Sequence, residues 1–147
     1  MPTTDALLTR LDAIGQSLAK SGHALALIGL GSVGLELERL DPYSDLDFFA
    51  IVEDGYKSRY LANLDWLSSV CPIAYSFRNT VDGYKLLFQD GIFCEFAVFE
   101  QPELSHIPFA PGRVVWKQPH IEATIGVPVL AGQPAPHNDV EWLVGEA

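Results

Sequence analysis

Residues 73–99 read Ile-Ala-Tyr-Ser-Phe-Arg-Asn-Thr-Val-Asp-Gly-Tyr-Lys-Leu-Leu-Phe-Gln-Asp-Gly-Ile-Phe-Cys-Glu-Phe-Ala-Val-Phe. Three strand-like runs, Ile73 to Asn79, Tyr84 to Gln89 and Ile92 to Phe99, are separated by Asp82-Gly83 and Asp90-Gly91. Asp-Gly between such runs signals a hairpin, because a tight two-residue turn needs positive φ and these residues tolerate it. The stretch predicts a three-strand antiparallel meander. Arg113 to Lys117 offers one more strand.

Upstream, the periodicity is helical first. Leu7, Leu11, Ile14 and Leu18 lie at i, i+4, i+7 and i+11, one apolar stripe on a helix over Asp5 to Lys20. Thr4 is positioned to cap it and Gly22 sits just past its end. Ala24 to Ile28 reads as a buried strand, Ser32 to Leu40 as a short helix stopped by Asp41-Pro42, and Leu46 to Val52 as a second strand. Lys57 to Val70 reads as a long helix with Tyr60, Leu64, Leu67 and Val70 inward. The fold class expected is mixed α+β, a largely antiparallel twisted sheet flanked by helices.

Downstream, Pro119, Pro128, Pro134 and Pro136 mark Pro119 to His137 as an extended linker. Asn138 with Glu141 resembles a capping box, and Val140, Leu143 and Val144 would form the apolar side of a new helix. Ten residues make a marginal helix in water, so the expected layout is a domain over 1–118, a linker over 119–137, and the start of a truncated helical domain over 138–147.

Nine Lys+Arg stand against nineteen Asp+Glu, a net charge of −10. That balance argues against a nucleic-acid partner, since nothing neutralises a run of phosphates. A cationic small molecule, or an anion bridged by a metal, suits it better. Hydrophobic content of 48% excludes wholesale disorder. Two cysteines, Cys71 and Cys94, cannot staple a secreted scaffold. No membrane span is read, and Met1 to Arg10 lacks a basic region followed by an apolar core, so the compartment expected is the cytoplasm.

Gly29-Leu30-Gly31-Ser32-Val33-Gly34 matches GxGxxG after a strand, with Glu53 nineteen residues beyond the last glycine. Those are the surroundings of a dinucleotide-binding fingerprint. Two features oppose that reading: the short helix before Asp41-Pro42, and the tight Asp-Gly turns, where a parallel sheet needs long crossovers. The glycines remain readable either as a tight turn or as a bend presenting amides to a phosphate.

Asp45-Leu46-Asp47-Phe48-Phe49 is the more telling stretch. On a strand, i and i+2 share a face, so Asp45 and Asp47 project together while Leu46 and Phe48 take the other side. Neither packing nor solubility calls for paired like charges; a divalent cation turns the repulsion into binding, and hard oxygen ligands suit Mg²⁺. Glu95 lies in the apolar run Phe93 to Phe99, costly there unless paired or solvated by a cleft. If its strand neighbours that of Asp45 and Asp47, three carboxylates converge. The plainer alternative places Asp45 in a turn and the other two at a wet sheet edge.

Gly31-Ser32, twelve intervening residues, then Asp45-Leu46-Asp47-Phe48 resembles the signature of the nucleotidyltransferase superfamily that includes DNA polymerase beta. The strings Asp41-Pro-Tyr-Ser-Asp-Leu-Asp-Phe-Phe-Ala-Ile-Val-Glu53, Asp82-Gly-Tyr-Lys-Leu-Leu-Phe88, Gly91-Ile-Phe-Cys-Glu-Phe-Ala-Val-Phe99 and Pro108-Phe-Ala-Pro-Gly-Arg-Val-Val-Trp116 make it similar to the lincosamide nucleotidyltransferases. Those enzymes move a nucleoside monophosphate onto a drug hydroxyl and confer antibiotic resistance. The resemblance spans about Ala24 to Trp116. It implies a nucleotidyltransferase fold completed by a C-terminal helical domain. It also implies that Gly31 and Ser32, with Ser44 of the same signature, hold the nucleoside triphosphate, that Asp45 and Asp47 bind Mg²⁺, and that Glu95 is general base, metal ligand or both.

The acceptor implied is a small hydroxylated, cationic molecule. Lys57, Lys85, Arg113 and Lys117 are the cations available for a triphosphate. His23, His106, His120 and His137 lack metal-ligand spacing and read as surface residues. Cys94 reads as a core thiol on the face opposite Glu95; Trp66, Trp116 and Trp142 read as packing or interface anchors. Self-association through Trp116 and Val127 to Leu130 would give a homo-oligomer. Two other readings stay open: a nucleotidyltransferase acting on a protein partner, whose usual arginine after Gly-Ser is missing here, and a catalytically silent nucleotide-binding or interaction module.

Overall fold

Thr3 opens the first element. Its hydroxyl accepts the Ala6 amide at 3.0 Å, capping helix α1 (Thr4–Ser21). The cap therefore lies one residue before the expected Thr4. Leu7, Leu11, Ile14 and Leu18 are all buried, and Gly22 ends the helix in the left-handed region at φ 97°. The computed structural model describes residues 3–128; the later linker residues and the helix expected from Asn138 lie outside them.

Six strands follow: β1 (Ala24–Leu30), β2 (Leu46–Val52), β3 (Ile73–Thr80), β4 (Gly83–Phe88), β5 (Phe93–Glu100) and β6 (Arg113–Lys117). They form one sheet in the order β3-β4-β5-β2-β1-β6. The meander β3-β4-β5 is antiparallel throughout. Gly91 turns at φ 96° as expected, whereas Gly83 is already paired with Thr80 as the first residue of β4, and the first turn is Val81-Asp82. β1 runs antiparallel to both β2 and β6. That direction excludes the parallel βαβ unit of a dinucleotide fold. The glycines have a packing reason instead: a Cβ on Gly29 would meet the Val33 carbonyl oxygen at 2.4 Å, and one on Gly34 the Gly29 oxygen at 2.4 Å.

β2 and β5 are parallel neighbours. Between them the chain makes helices α2 (Lys57–Ala62) and α3 (Asp65–Ser68) and then the β3-β4 hairpin, a crossover long enough for a parallel return. The single helix expected over Lys57 to Val70 is thus two. Asn63 breaks it, with extended backbone at φ −133°, ψ 114° and a side-chain oxygen accepting the Asp65 amide at 2.9 Å. Asparagine competes with helix in this way. The break turns Leu61 and Trp66 into the core beside Tyr60 and Leu67, leaving Leu64 only partly buried. The expected helix over Ser32 to Leu40 is likewise absent: two separate 3₁₀ turns, Gly31–Val33 and Leu37–Arg39, stand there.

Strand alternation divides the sheet between two cores. Leu46, Phe48, Ala50, Val52, Cys94, Phe96 and Val98 pack under α1, α2 and α3. On the opposite face Ile28, Ile51 and Phe99 meet Leu104, Phe109 and Ile121 from the loops around β6. The first residues of the expected linker are therefore part of the body. Ile121 is buried, Ala123–Gly126 forms a 3₁₀ turn, and the Gly112 amide donates to the Gly126 carbonyl at 2.8 Å. Among the described residues no helix is long and apolar enough to cross a membrane.

Candidate active site

The site follows from register. Asp47 on β2 pairs with Glu95 on β5, and Glu95 pairs with Lys85 on β4. Neighbouring strands lie about 4.8 Å apart and paired residues share a face, so Asp47, Glu95 and Lys85 form a row across the sheet. The row is on the face away from the helices. Cys94 points the other way, is 1% exposed, and burial pushes its thiol well above the ordinary range; it is a core thiol.

Two of the carboxyls depart from ordinary behaviour. Burial, then the charges of Glu95 and Asp45, raise the Asp47 pKa to about 7, against the opposing pull of Lys85. Asp45, exposed and one residue before β2, is raised by partial desolvation, with Lys85 again opposing. Glu95 has a partner that Asp47 lacks: the Asn79 side-chain amide donates to Oε2 at 2.9 Å.

A cavity of ≈ 320 Å³ opens over Asp47 and Glu95. Asp47, Glu95 and Asn79 form its polar wall, with Glu36 and Gly31 at the glycine loop. Gly31 takes φ 57° and an ideal Cβ there would sit 3.9 Å from Asp47 Oδ2, so the glycine loop and the carboxylate are immediate neighbours. The other wall is aromatic: Phe49 meets Phe99 and Phe109 edge-on, with ring centroids 5.0 and 5.4 Å apart.

Of the residues expected at the site, Gly31, Asp47 and Glu95 share this cavity. Asp45, Ser32 and Ser44 are not in its wall. The Ser44 hydroxyl accepts the Asp41 amide at 3.1 Å and belongs to that turn. Asn79, Glu36 and the Phe49–Phe99–Phe109 wall escaped the sequence reading. Phe49 and Phe99 were legible as alternating strand residues, but nothing local marks a strand asparagine or a loop glutamate as part of a site.

The candidate cations disperse. Lys57 bonds Asp82 Oδ1 at 2.6 Å and Glu103 Oε2 at 2.9 Å. Burial works to lower its pKa, but those two carboxylates more than offset it and the ammonium titrates above the ordinary lysine value. Arg113 donates to the Val33 carbonyl at 3.0 Å, and Lys117 pairs with Ala26 on β1. Lys85 alone of the four stands beside the carboxylates. His23 packs flat on Tyr56, 3.8 Å between ring centroids, with Nδ1 3.2 Å from Glu53, away from the cavity.

Among the described residues no three His, Cys, Asp or Glu side chains gather closely enough to hold a metal ion by themselves. Asp47 has two carboxylate neighbours, Asp45 two residues before it and Glu95 across the strand pair, and Mg²⁺ commonly takes one or two carboxylates and completes its shell with water and substrate phosphate. The raised Asp47 pKa fits such a donor set: burial is its first cause and the charges of Glu95 and Asp45 its second, and a divalent cation would offset both by favouring the charged form. Neither a family model nor a curated protein matches the chain.

Proposed function

We propose that the protein transfers a nucleoside monophosphate from a nucleoside triphosphate to a hydroxyl of a small, cationic acceptor such as a lincosamide, within a nucleotidyltransferase fold. The observation that supports this most is the in-register pairing of Asp47 with Glu95 next to the glycine loop. The acidic, aromatic cavity suits an amine-bearing acceptor with an apolar body.

In this reading Asp47 and Asp45 would hold Mg²⁺, which would supply positive charge to offset that on phosphate oxygens. The Gly31–Val33 turn brings backbone close to the phosphates, with no side chain at 31 in the way. The acceptor oxygen attacks the α-phosphorus, forming one P–O bond as the α–β bridging P–O bond breaks, and pyrophosphate leaves. Glu95, hydrogen-bonded by Asn79, takes the hydroxyl proton. Most of the acceleration comes from positioning and charge neutralisation.

A second reading, a catalytically silent nucleotide-binding or interaction module, draws on one observation: no Lys or Arg lines the cavity among the described residues. The discriminating experiment is a product assay by mass spectrometry, with lincomycin, Mg²⁺ and each of the four nucleoside triphosphates. The transfer reading requires a nucleoside monophosphate adduct that Asp47→Asn abolishes. Calorimetric binding of Mg-nucleotide without any adduct supports the silent nucleotide-binding module; no heat at millimolar nucleotide rejects the transfer reading and favours the silent interaction module.

A further inference from the structure

Asn79 occupies an unusual place. Arg78 pairs with Tyr84 and Thr80 with Gly83, so the register slips by one and Asn79 is the extra residue of a bulge. Bulges re-aim a side chain. Here the amide reaches past β4 to Glu95 on β5, two strands away. β4 begins at Gly83, which lies too close to the β5 backbone for a side chain: a Cβ there would meet the Phe96 carbonyl oxygen at 1.8 Å.

The hairpin tip carrying Asn79 is anchored on several sides. Arg78 donates to the carbonyls of Thr80 at 3.1 Å and Val81 at 2.8 Å. The Thr80 hydroxyl accepts the Asp82 amide at 3.1 Å, and the Asp82 carbonyl accepts Val98 at 2.8 Å. Asp82 itself is 8% exposed and held by Lys57. The amide orientation is also determined: turned over, it would set Oδ1 against a carboxylate oxygen. As it stands, Oδ1 is buried without a hydrogen-bond partner. A side chain chosen for packing alone would leave no such orphan.

We infer that Asn79 is a positioning residue: it holds the Glu95 carboxylate in the orientation from which it accepts the acceptor's proton, and the Arg78–Thr80–Asp82–Lys57 network fixes the tip that carries it. The kinetic role rests on the nucleotidyl-transfer reading; the hydrogen bond does not.

The test has two arms on the full chain. In ¹⁵N-labelled protein the Asn79 side-chain amide, assigned by its loss in Asn79→Ala, is expected downfield and protected from exchange, and to move to a free-amide position in Glu95→Ala. A signal indifferent to Glu95 overturns the inference. In the lincomycin assay, Asn79→Ala is expected to lower kcat about ten- to a hundredfold while the nucleotide KM stays within about threefold, and Asn79→Asp to lower kcat at least as far. An unchanged kcat overturns the positioning role while transfer by wild type stands. Equal losses in kcat, nucleotide binding and Tm overturn it in favour of a merely structural asparagine. No product from wild type overturns the transfer reading and the kinetic role with it, and a Glu95-dependent amide signal still upholds the bond.

Discussion

At Asp47, burial and the charges of Glu95 and Asp45 act together against ionisation, and the carboxyl titrates near pH 7 instead of near 4. In the unfolded chain it loses its proton around pH 4. Between those values the folded state keeps a proton that the unfolded state has released, so this group's contribution to stability falls as pH rises from about 4 to 7 and stays low above. Asp47→Asn should therefore raise Tm by about 5 °C at pH 8.5, with the gain shrinking to nothing near pH 4. Differential scanning calorimetry across pH measures this, and a loss of Tm at pH 8.5 contradicts it. Millimolar Mg²⁺ should raise the wild-type Tm at pH 8.5 and leave the Asp47→Asn Tm unchanged; equal shifts would place the cation elsewhere. At Glu95 the neutral variant Glu95→Gln can still accept from Asn79, so the fold is kept. Its rate should drop by about 100-fold or more with nucleotide affinity nearly unchanged if Glu95 is the base. A loss confined to affinity, read by calorimetry, reassigns it to metal binding.

Among the elements, the β3-β4 hairpin depends on a charge cluster brought from three places: Lys57 at the start of α2, Asp82 at the hairpin tip, and Glu103 in the 3₁₀ turn Gln101–Ser105. Lys57→Met leaves Asp82 nearly buried and unpaired, and should cost about 3 kcal/mol in urea denaturation. Adding Asp82→Asn should recover part of that loss, because the stranded charge is gone. Additive losses would show that the two residues act independently. Lys57 was also a candidate for the triphosphate; its ion pairs predict that Lys57→Met leaves nucleotide affinity unchanged. The elements most legible in the sequence were those with local causes. The α1 stripe, the β2 alternation and the Asp-Gly hairpins appear in the structure within a residue or two. The helix over Lys57 to Val70 was misread because one asparagine side chain, bonding the amide two residues on, outweighs a continuous apolar pattern.

For the whole molecule, a net charge of −10 makes the folded state self-repelling. Raising NaCl from 10 mM to 300 mM should increase Tm by a few degrees by screening; a fall would mean that the Lys57 cluster and similar pairs outweigh the repulsion. The exposed apolar surface matches the sequence expectation in part. Val127 is 57% exposed, Trp116 is partly buried beneath α1, and residues 129 and 130 lie outside the described ones. Tyr75 and Phe77 on edge strand β3 add side chains that are 48% and 49% exposed. Short-range chemistry in the sequence determined which residues form strands, which side of β2 carries its carboxylates, and where the chain turns. Such preferences act over a few residues and need no knowledge of the rest. Only the tertiary structure decided that Asp47 lies beside Glu95 across a parallel pair, that Asn79 reaches Glu95 from two strands away, and that an aromatic wall faces them. Those neighbours are far apart along the chain, and the register that unites them is set by which cores close, a property of the packed sheet as a whole.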